Sequence, residues 1–154
     1  MTKIIKVDPW GRAMSEKETL QFLQSEPLLM RLGVVDSDGY PLVHPVWFIY
    51  ENEKFLTVSD RNSAKVRILS KNNKAYFVVD KVTEKNGPSG VRGRGIAKIV
   101  DDSNHAQKVM QKLIMRYMGS LDRPIAKKLM RSAETESVVI EVYPKFLGTW
   151  QGIE

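Results

Sequence analysis

Three short apolar runs, separated by turn sequences, dominate the chain between residues 29 and 59. Leu29–Val35 and Leu42–Tyr50 flank Asp38-Gly39, a pair that is typical of tight β-hairpins, and Phe55–Ser59 follows a second polar turn at residues 51–54. Leu42–Tyr50 is apolar at both odd and even positions, which is expected of one strand with two covered faces. Because hairpins join antiparallel neighbours, this order favours an antiparallel sheet over a βαβ arrangement.

Helices and further strands complete the pattern. Ser15 and Glu18 form a capping box before a helix over residues 15–24, and Ser103 and Gly119 are placed to cap and end the longest predicted helix. Other helices are predicted at Ser63–Ser70, Asn104–Met118 and Asp122–Ser132, and other strands at Lys74–Asp80, Gly95–Val100, Val138–Val142 and Phe146–Trp150. About six or seven strands with inserted helices predict a mainly β antiparallel barrel with peripheral helices. We expect a single domain over residues 1–154.

Charge and composition limit the partners. The chain holds 24 basic and 18 acidic residues, and ten basic against two acidic residues lie within residues 61–100, which favours an anionic partner. The sequence has no cysteine, so thiolate chemistry and disulfides are excluded and a cytoplasmic protein is expected. His44 and His105 are not in a metal-ligand spacing, and we predict no metal site. No signal peptide or membrane span is expected.

The end of the third apolar run carries polar side chains on one face. Thr57 and Ser59 alternate with apolar neighbours, and Arg61 continues their face where the chain leaves the strand. Two hydroxyls and a guanidinium are therefore predicted to lie in line.

A helix is predicted to begin directly after this strand. Asn62 or Ser63 caps it, and Lys65 lies in its first turn. Unpaired backbone N–H groups, the positive end of the helix dipole and the lysine ammonium converge there, as in a phosphate site. The alternative is a solvated basic face with an ordinary helix cap.

Two further residues are unusual for their positions. Pro45 interrupts an apolar strand, which favours a sheet edge, a bulge or a segment that lies beside a flat ligand. Trp150 lies close to the C-terminus and is expected to dock on its own barrel, on a ligand or on a partner subunit.

Two other functions are less consistent with the residues. Gly93-Arg94-Gly95 has only part of a dinucleotide-binding fingerprint and leads into a strand rather than a helix. Tyr76 and Phe77 with Arg92 and Arg94 suggest a nucleic-acid surface. Since both aromatics belong to the apolar run AYFVV, at least one of them must face the core.

Taken in order, the motifs resemble the pyridoxamine 5'-phosphate oxidase-like, FMN-binding split-barrel family. The resemblance covers roughly residues 26–150 and lies in LGVVDSDGYPLVHPVWFIYENEKFLTVSDRNSAKVRIL, AYFVVD and VRGRGIAKIVDD. It implies an antiparallel split β-barrel that forms a homodimer, with cofactor sites built from both chains at the interface.

The resemblance also implies cofactor contacts from three regions. The strand Pro45–Phe48 is similar to the segment beside the isoalloxazine ring, a second region holds the ribityl phosphate, and a C-terminal aromatic comes from the partner chain. The implied cofactor-binding residues are Pro45, Val46, Trp47, Thr57, Ser59, Ser63, Lys65 and Trp150, with Arg61 and Arg67 as auxiliary charges.

The function that the resemblance implies is an FMN-dependent oxidoreductase acting on a small organic substrate. The C-terminal extension of pyridoxamine phosphate oxidases has no counterpart before Glu154, so vitamin synthesis is not expected. The catalytic residues remain unknown, because the flavin ring carries the hydride chemistry. The alternatives are a deazaflavin-dependent reductase, a non-catalytic flavin- or haem-binding module, and a small basic nucleic-acid-binding barrel.

Overall fold

The computed structural model describes residues 2–7 and 11–152. Within them the chain forms nine strands and four helices. The strands are β1 Lys3–Lys6, β2 Met30–Val35, β3 Pro41–Val46, β4 Ile49–Glu51, β5 Lys54–Asp60, β6 Lys74–Thr83, β7 Gly87–Val100, β8 Ser137–Pro144 and β9 Phe146–Trp150. The helices are α1 Glu16–Ser25, α2 Ala64–Lys71, α3 Ser103–Met118 and α4 Pro124–Thr135. None of these helices is long and apolar enough to cross a membrane.

The strands form one sheet in the order β3-β2-β6-β7-β8-β5-β4, and every pairing on this path is antiparallel. The predicted mainly β, antiparallel split barrel with peripheral helices is confirmed. The prediction of six or seven strands was wrong, because it omitted β1 and counted one strand where the chain forms β3 and β4. β1 pairs in parallel with β9 and therefore has no hairpin signal in the sequence.

Two apolar cores lie on opposite sides of the sheet. Inside the barrel the rings of Phe48, Phe55 and Phe77 pack together in tilted pairs at 4.6 and 5.5 Å between centroids. Outside it, α3 and α4 cover the other face of β5 and β8 through residues such as Leu113 and Val139. β5 and β8 are therefore covered on both faces.

The prediction of a single strand over Leu42–Tyr50 was wrong, because the chain forms two strands there, β3 and β4. The chain leaves the sheet at Trp47 and Phe48, so that β3 and β4 lie at opposite ends of the strand order. β3 is mostly exposed, and in the described residues it pairs with β2 alone. Pro45 lacks a backbone N–H and suits an edge strand, which is one of the positions predicted for it.

Local capping signals were mostly predicted correctly. The Ser15 side chain accepts the Glu18 N–H at 3.1 Å, and the Glu18 carboxylate accepts the Ser15 N–H at 2.8 Å. Gly119 ends α3 in the left-handed conformation, as predicted. The cap of α3 was wrong by one residue: Asp102 accepts the His105 N–H at 3.0 Å, and Ser103 is the first residue of the helix.

Candidate functional site

The end of β5 and the start of α2 bring two predicted hydroxyls together. Ser59 is buried, and its Oγ lies 3.0 Å from Oγ of Ser63. Ser63 is the N-cap of α2, where its side chain accepts the Val66 N–H at 3.4 Å. The turn between them is closed by Asp60, whose carboxylate accepts the Asn62 N–H at 2.7 Å. The serine pair therefore sits at the positive end of the α2 dipole.

Lys65 adds a cation in the first turn of the same helix. Its side chain is half-buried, and burial lowers the pKa of the ammonium, although the Asp60 carboxylate opposes this shift. Lys65 makes no hydrogen bond or ion pair with any residue that the structure describes. A half-buried ammonium without an anionic neighbour in contact fits a phosphate or another anion.

Thr57 lies on the same face of β5, two residues before Ser59. It is only 2% exposed, and its hydroxyl makes no hydrogen bond within the described residues. Alternation along the strand places this hydroxyl in line with the serine pair, as the sequence predicted.

Arg61 and Arg67 donate their hydrogen bonds to groups other than the two serines. The Arg61 guanidinium donates to both carboxylate oxygens of Asp101, at 2.8 and 3.1 Å, and to the Thr135 carbonyl at 2.9 Å. Arg67 donates to the Asn62 carbonyl at 2.6 Å and so stabilises the β5–α2 turn. Neither guanidinium forms a hydrogen bond to Ser59 or Ser63 in the structure.

The second predicted region, Pro45 to Trp47, leads from the edge strand into the β3–β4 junction. Pro45 is exposed, whereas Val46 is buried in the barrel core. Trp47 stacks on Tyr117 of α3, with 4.9 Å between ring centroids and 8° between planes. The helical spacing of residues 104–118 placed Tyr117 on the apolar face of α3 and gave no signal that it contacts this junction.

A groove of about 370 Å³ runs along the outer face of β3, β2, β6 and β7. Val43, Gly33, Tyr76 and Arg94 follow one another across these four strands in a single register row. Tyr76 is 44% exposed while Phe77 is in the core, so the prediction that one of them faces inward is confirmed. The groove was not predicted, because it is formed by two hairpins, β2–β3 and β6–β7, that are distant from each other in the sequence.

Trp150 ends β9 and lies against β7 of its own chain. It pairs with Gly90, and its ring comes within 2.2 Å of the point that a Cβ on Gly90 would occupy. Trp150 therefore docks on its own barrel, one of the positions predicted for it.

Solved structures with the same fold were found by comparison. A conserved hypothetical protein of Mycobacterium tuberculosis has a TM-score of 0.78 at 20% identity, over 94% of this chain and 89% of that one. An F420 reductase has a TM-score of 0.67 at 26% identity, over 85% and 97%. An FAD-binding protein of Mesorhizobium loti has a TM-score of 0.65 at 19% identity, over 92% and 97%.

No curated protein sequence matches this chain. The family model described as pyridoxamine 5'-phosphate oxidase matches residues 15–145. These residues include the β3–β4 junction at Trp47 and Phe48, the hydroxyls of Thr57, Ser59 and Ser63, and the groove. This match spans most of the sequence and agrees with the split barrel and its strand order. The chain belongs to the pyridoxamine 5'-phosphate oxidase family.

Proposed function

We propose that this protein binds FMN and acts as an oxidoreductase that transfers hydride to or from a small organic substrate. The observation that supports this most strongly is Lys65, a half-buried ammonium in the first turn of α2 that makes no ion pair within the described residues and follows the hydrogen-bonded Ser59 and Ser63 closely in the sequence. A flavin phosphate supplies an anion in direct contact with this ammonium, a contact that the Asp60 carboxylate does not make.

In this proposal the phosphate is held from three sides. The Lys65 ammonium pairs with it, the first N–H groups of α2 point towards it, and the hydroxyls of Thr57, Ser59 and Ser63 donate to its oxygens. A bound dianion raises the pKa of Lys65 and so reverses the effect of burial. Arg61 and Arg67 add positive charge at longer range, since Asp101 and Asn62 already hold their guanidinium groups.

Pro45, Val46 and Trp47 are proposed to lie beside the ring. β3 is an edge strand, so alternate backbone groups on its free side are available to a planar ligand. FMN, when bound, supplies the hydride chemistry, and the chain orients it. No acidic side chain is required at the ring, because solvent can supply a proton.

We also propose a homodimer whose two copies share each site. Val43 and Tyr76, which line the groove, are 62% and 44% exposed. A contiguous exposed surface of such side chains is typical of a protein interface. Trp150 is proposed to contact the cofactor bound by the partner copy, as the family resemblance implies. The single domain and the cytoplasmic location predicted from the sequence belong to the same proposal.

A deazaflavin-dependent reductase is the second candidate, and the 26% identity to an F420 reductase favours it. Deazaflavin cofactors also carry a phosphate, so the Lys65 cluster serves either cofactor. A binding module without turnover, for a flavin or for haem, is the third candidate.

The experiment is a visible spectrum of the purified protein, followed by titration with FMN and with the deazaflavin coenzyme. We expect FMN to bind saturably and to be reduced anaerobically by NADH or NADPH. Preferential binding of the deazaflavin supports the second candidate. Bound flavin that neither NADH, NADPH nor reduced deazaflavin reduces supports the module. Absence of measurable affinity for either cofactor contradicts the proposal.

A further inference from the structure

The β3–β4 junction is held by a helix that is far from it in the sequence. Phe48 is fully buried, and its backbone N–H donates to the Tyr117 hydroxyl at 3.1 Å. The same hydroxyl donates to the Leu28 carbonyl at 2.6 Å, in the segment between α1 and β2. Because Phe48 belongs to neither strand, Tyr117 provides the partner that its buried amide requires.

Arg116, the neighbour of Tyr117 in the last turn of α3, contacts Phe48 and the end of α1. Its Nη2 donates to the Leu23 carbonyl at 2.9 Å and to the Glu26 carbonyl at 2.5 Å. Its guanidinium lies 4.8 Å from the Phe48 ring centroid. Burial lowers the pKa of Arg116, and its Nε is buried without a hydrogen-bond partner in the described residues.

These contacts set the path of the chain from β3 into β4. Trp47 is stacked on the Tyr117 ring, so one side chain of α3 fixes both residues of the junction. We infer that Tyr117, supported by Arg116, is a positioning residue for the Pro45–Trp47 segment and thereby for the ring of the bound flavin. This inference rests on the proposed function and adds residues that touch the segment rather than the cofactor.

The test compares two ligands that share a ring and differ in phosphate. Tyr117→Phe keeps the stacking on Trp47 and removes the hydroxyl, so we expect the dissociation constants of FMN and riboflavin to rise by the same factor, about 3- to 10-fold. The visible absorption bands of the bound flavin should shift in this variant. Lys65→Ala should weaken FMN alone, because riboflavin has no phosphate.

Tyr143→Phe is the matched control. It also removes a hydrogen-bonded tyrosine hydroxyl, which donates to Glu141 at 2.8 Å, but it lies outside the junction. We expect its flavin affinities and bound spectrum to match the wild type even if its unfolding midpoint falls. Arg116→Lys is the second variant, in case Tyr117→Phe folds poorly, and it should change both affinities in the same direction.

Wild-type affinities for both flavins in Tyr117→Phe and Arg116→Lys would overturn the inference while leaving the proposed function intact. Weakening of FMN with unchanged riboflavin would also overturn it, because the junction would then act on the phosphate. A wild-type protein that binds neither flavin would overturn the proposed function itself.

Discussion

Glu141 is a buried carboxylate whose partners come from three directions. Its Oε2 lies 3.0 Å from His105 Nε2 and 3.2 Å from Lys54 Nζ, and its Oε1 accepts the Tyr143 hydroxyl at 2.8 Å. Burial opposes ionisation, but the hydrogen bonds from Tyr143, His105 and Lys54 outweigh it and lower the pKa of Glu141. The cluster joins α3 to β5 and β8.

We predict that Glu141→Gln lowers the free energy of unfolding at pH 7 by about 1–3 kcal/mol, because Lys54 is left beside a neutral group. Since the folded state lowers the pKa of Glu141, its contribution is present above the unfolded pKa of about 4.3 and is lost as pH falls through the folded value. Urea unfolding between pH 3 and 7 measures both effects.

Glu134→Gln on α4 is the control, since its side chain is exposed. If the two variants have the same unfolding free energy and the same acid dependence, the Glu141 cluster does not stabilise the fold as we describe.

The residues of the candidate site divide into those that local sequence predicts and those that it does not. Ser59, Ser63 and Lys65 lie within seven positions of one another, so strand alternation and helix capping were sufficient to place them together. Arg61 was expected in line with them, but Asp101, forty residues away, holds its guanidinium. A competing partner at that distance leaves no local signal.

At the scale of elements, the packing of β7 explains why glycines occur in Gly93-Arg94-Gly95, the motif that partly matches a dinucleotide-binding fingerprint. β7 pairs with β9 over residues 90–92 and with β8 over residues 95–100. A Cβ on Gly95 would lie 2.1 Å from the Tyr143 carbonyl oxygen, and one on Gly93 would lie 2.3 Å from that of Phe146. Close backbone approach at the change of partner therefore requires both glycines.

We predict that Gly95→Ala destabilises the protein by about 1–3 kcal/mol, because backbone atoms of β8 must move to admit the methyl group. Chemical denaturation measures the loss. Gly33→Ala is the control in the same sheet, since its Cβ would make an ordinary contact 3.6 Å from the Tyr76 carbonyl. Equal stability of the two variants would contradict this reading of β7.

Most elements could be predicted because their signals are local. The Ser15 capping box and the Asp38-Gly39 turn each depend on a few adjacent residues. The break after β3 depends on Tyr117, 69 residues from Phe48, and the parallel pairing of β1 depends on β9 at the other end of the chain. Periodicity cannot register such distant contacts, which is why one strand was predicted for two and β1 was omitted.

At the scale of the whole molecule, the basic excess of residues 61–100 serves several tasks. Arg61 pairs with Asp101, and Lys81 pairs with Glu26 at 2.6 Å. Lys74 and Arg94 line the apolar groove instead. Some of these basic side chains therefore form ion pairs within the fold. Others are available to an anionic ligand or to a second copy of the chain.

The groove leads to a prediction about assembly. Val43→Glu introduces a charge on the β3 edge of the proposed dimer interface and should yield monomers, as measured by sedimentation or light scattering, with a loss of FMN affinity. Val82→Glu, at an exposed position in the β6–β7 hairpin, should remain dimeric. A Val43→Glu protein with the mass of the wild type would exclude this face as the interface.

The most direct measurement is calorimetric titration of the wild type and of Lys65→Ala with FMN and with riboflavin. We predict that Lys65→Ala weakens FMN binding by about 10- to 150-fold, since a hydrogen bond to a charged group contributes about 1.5–3 kcal/mol, and leaves riboflavin binding unchanged. Arg61→Ala, whose guanidinium is held by Asp101, should change FMN affinity less than about threefold. Equal FMN affinity in the wild type and Lys65→Ala would contradict a flavin phosphate site at the start of α2.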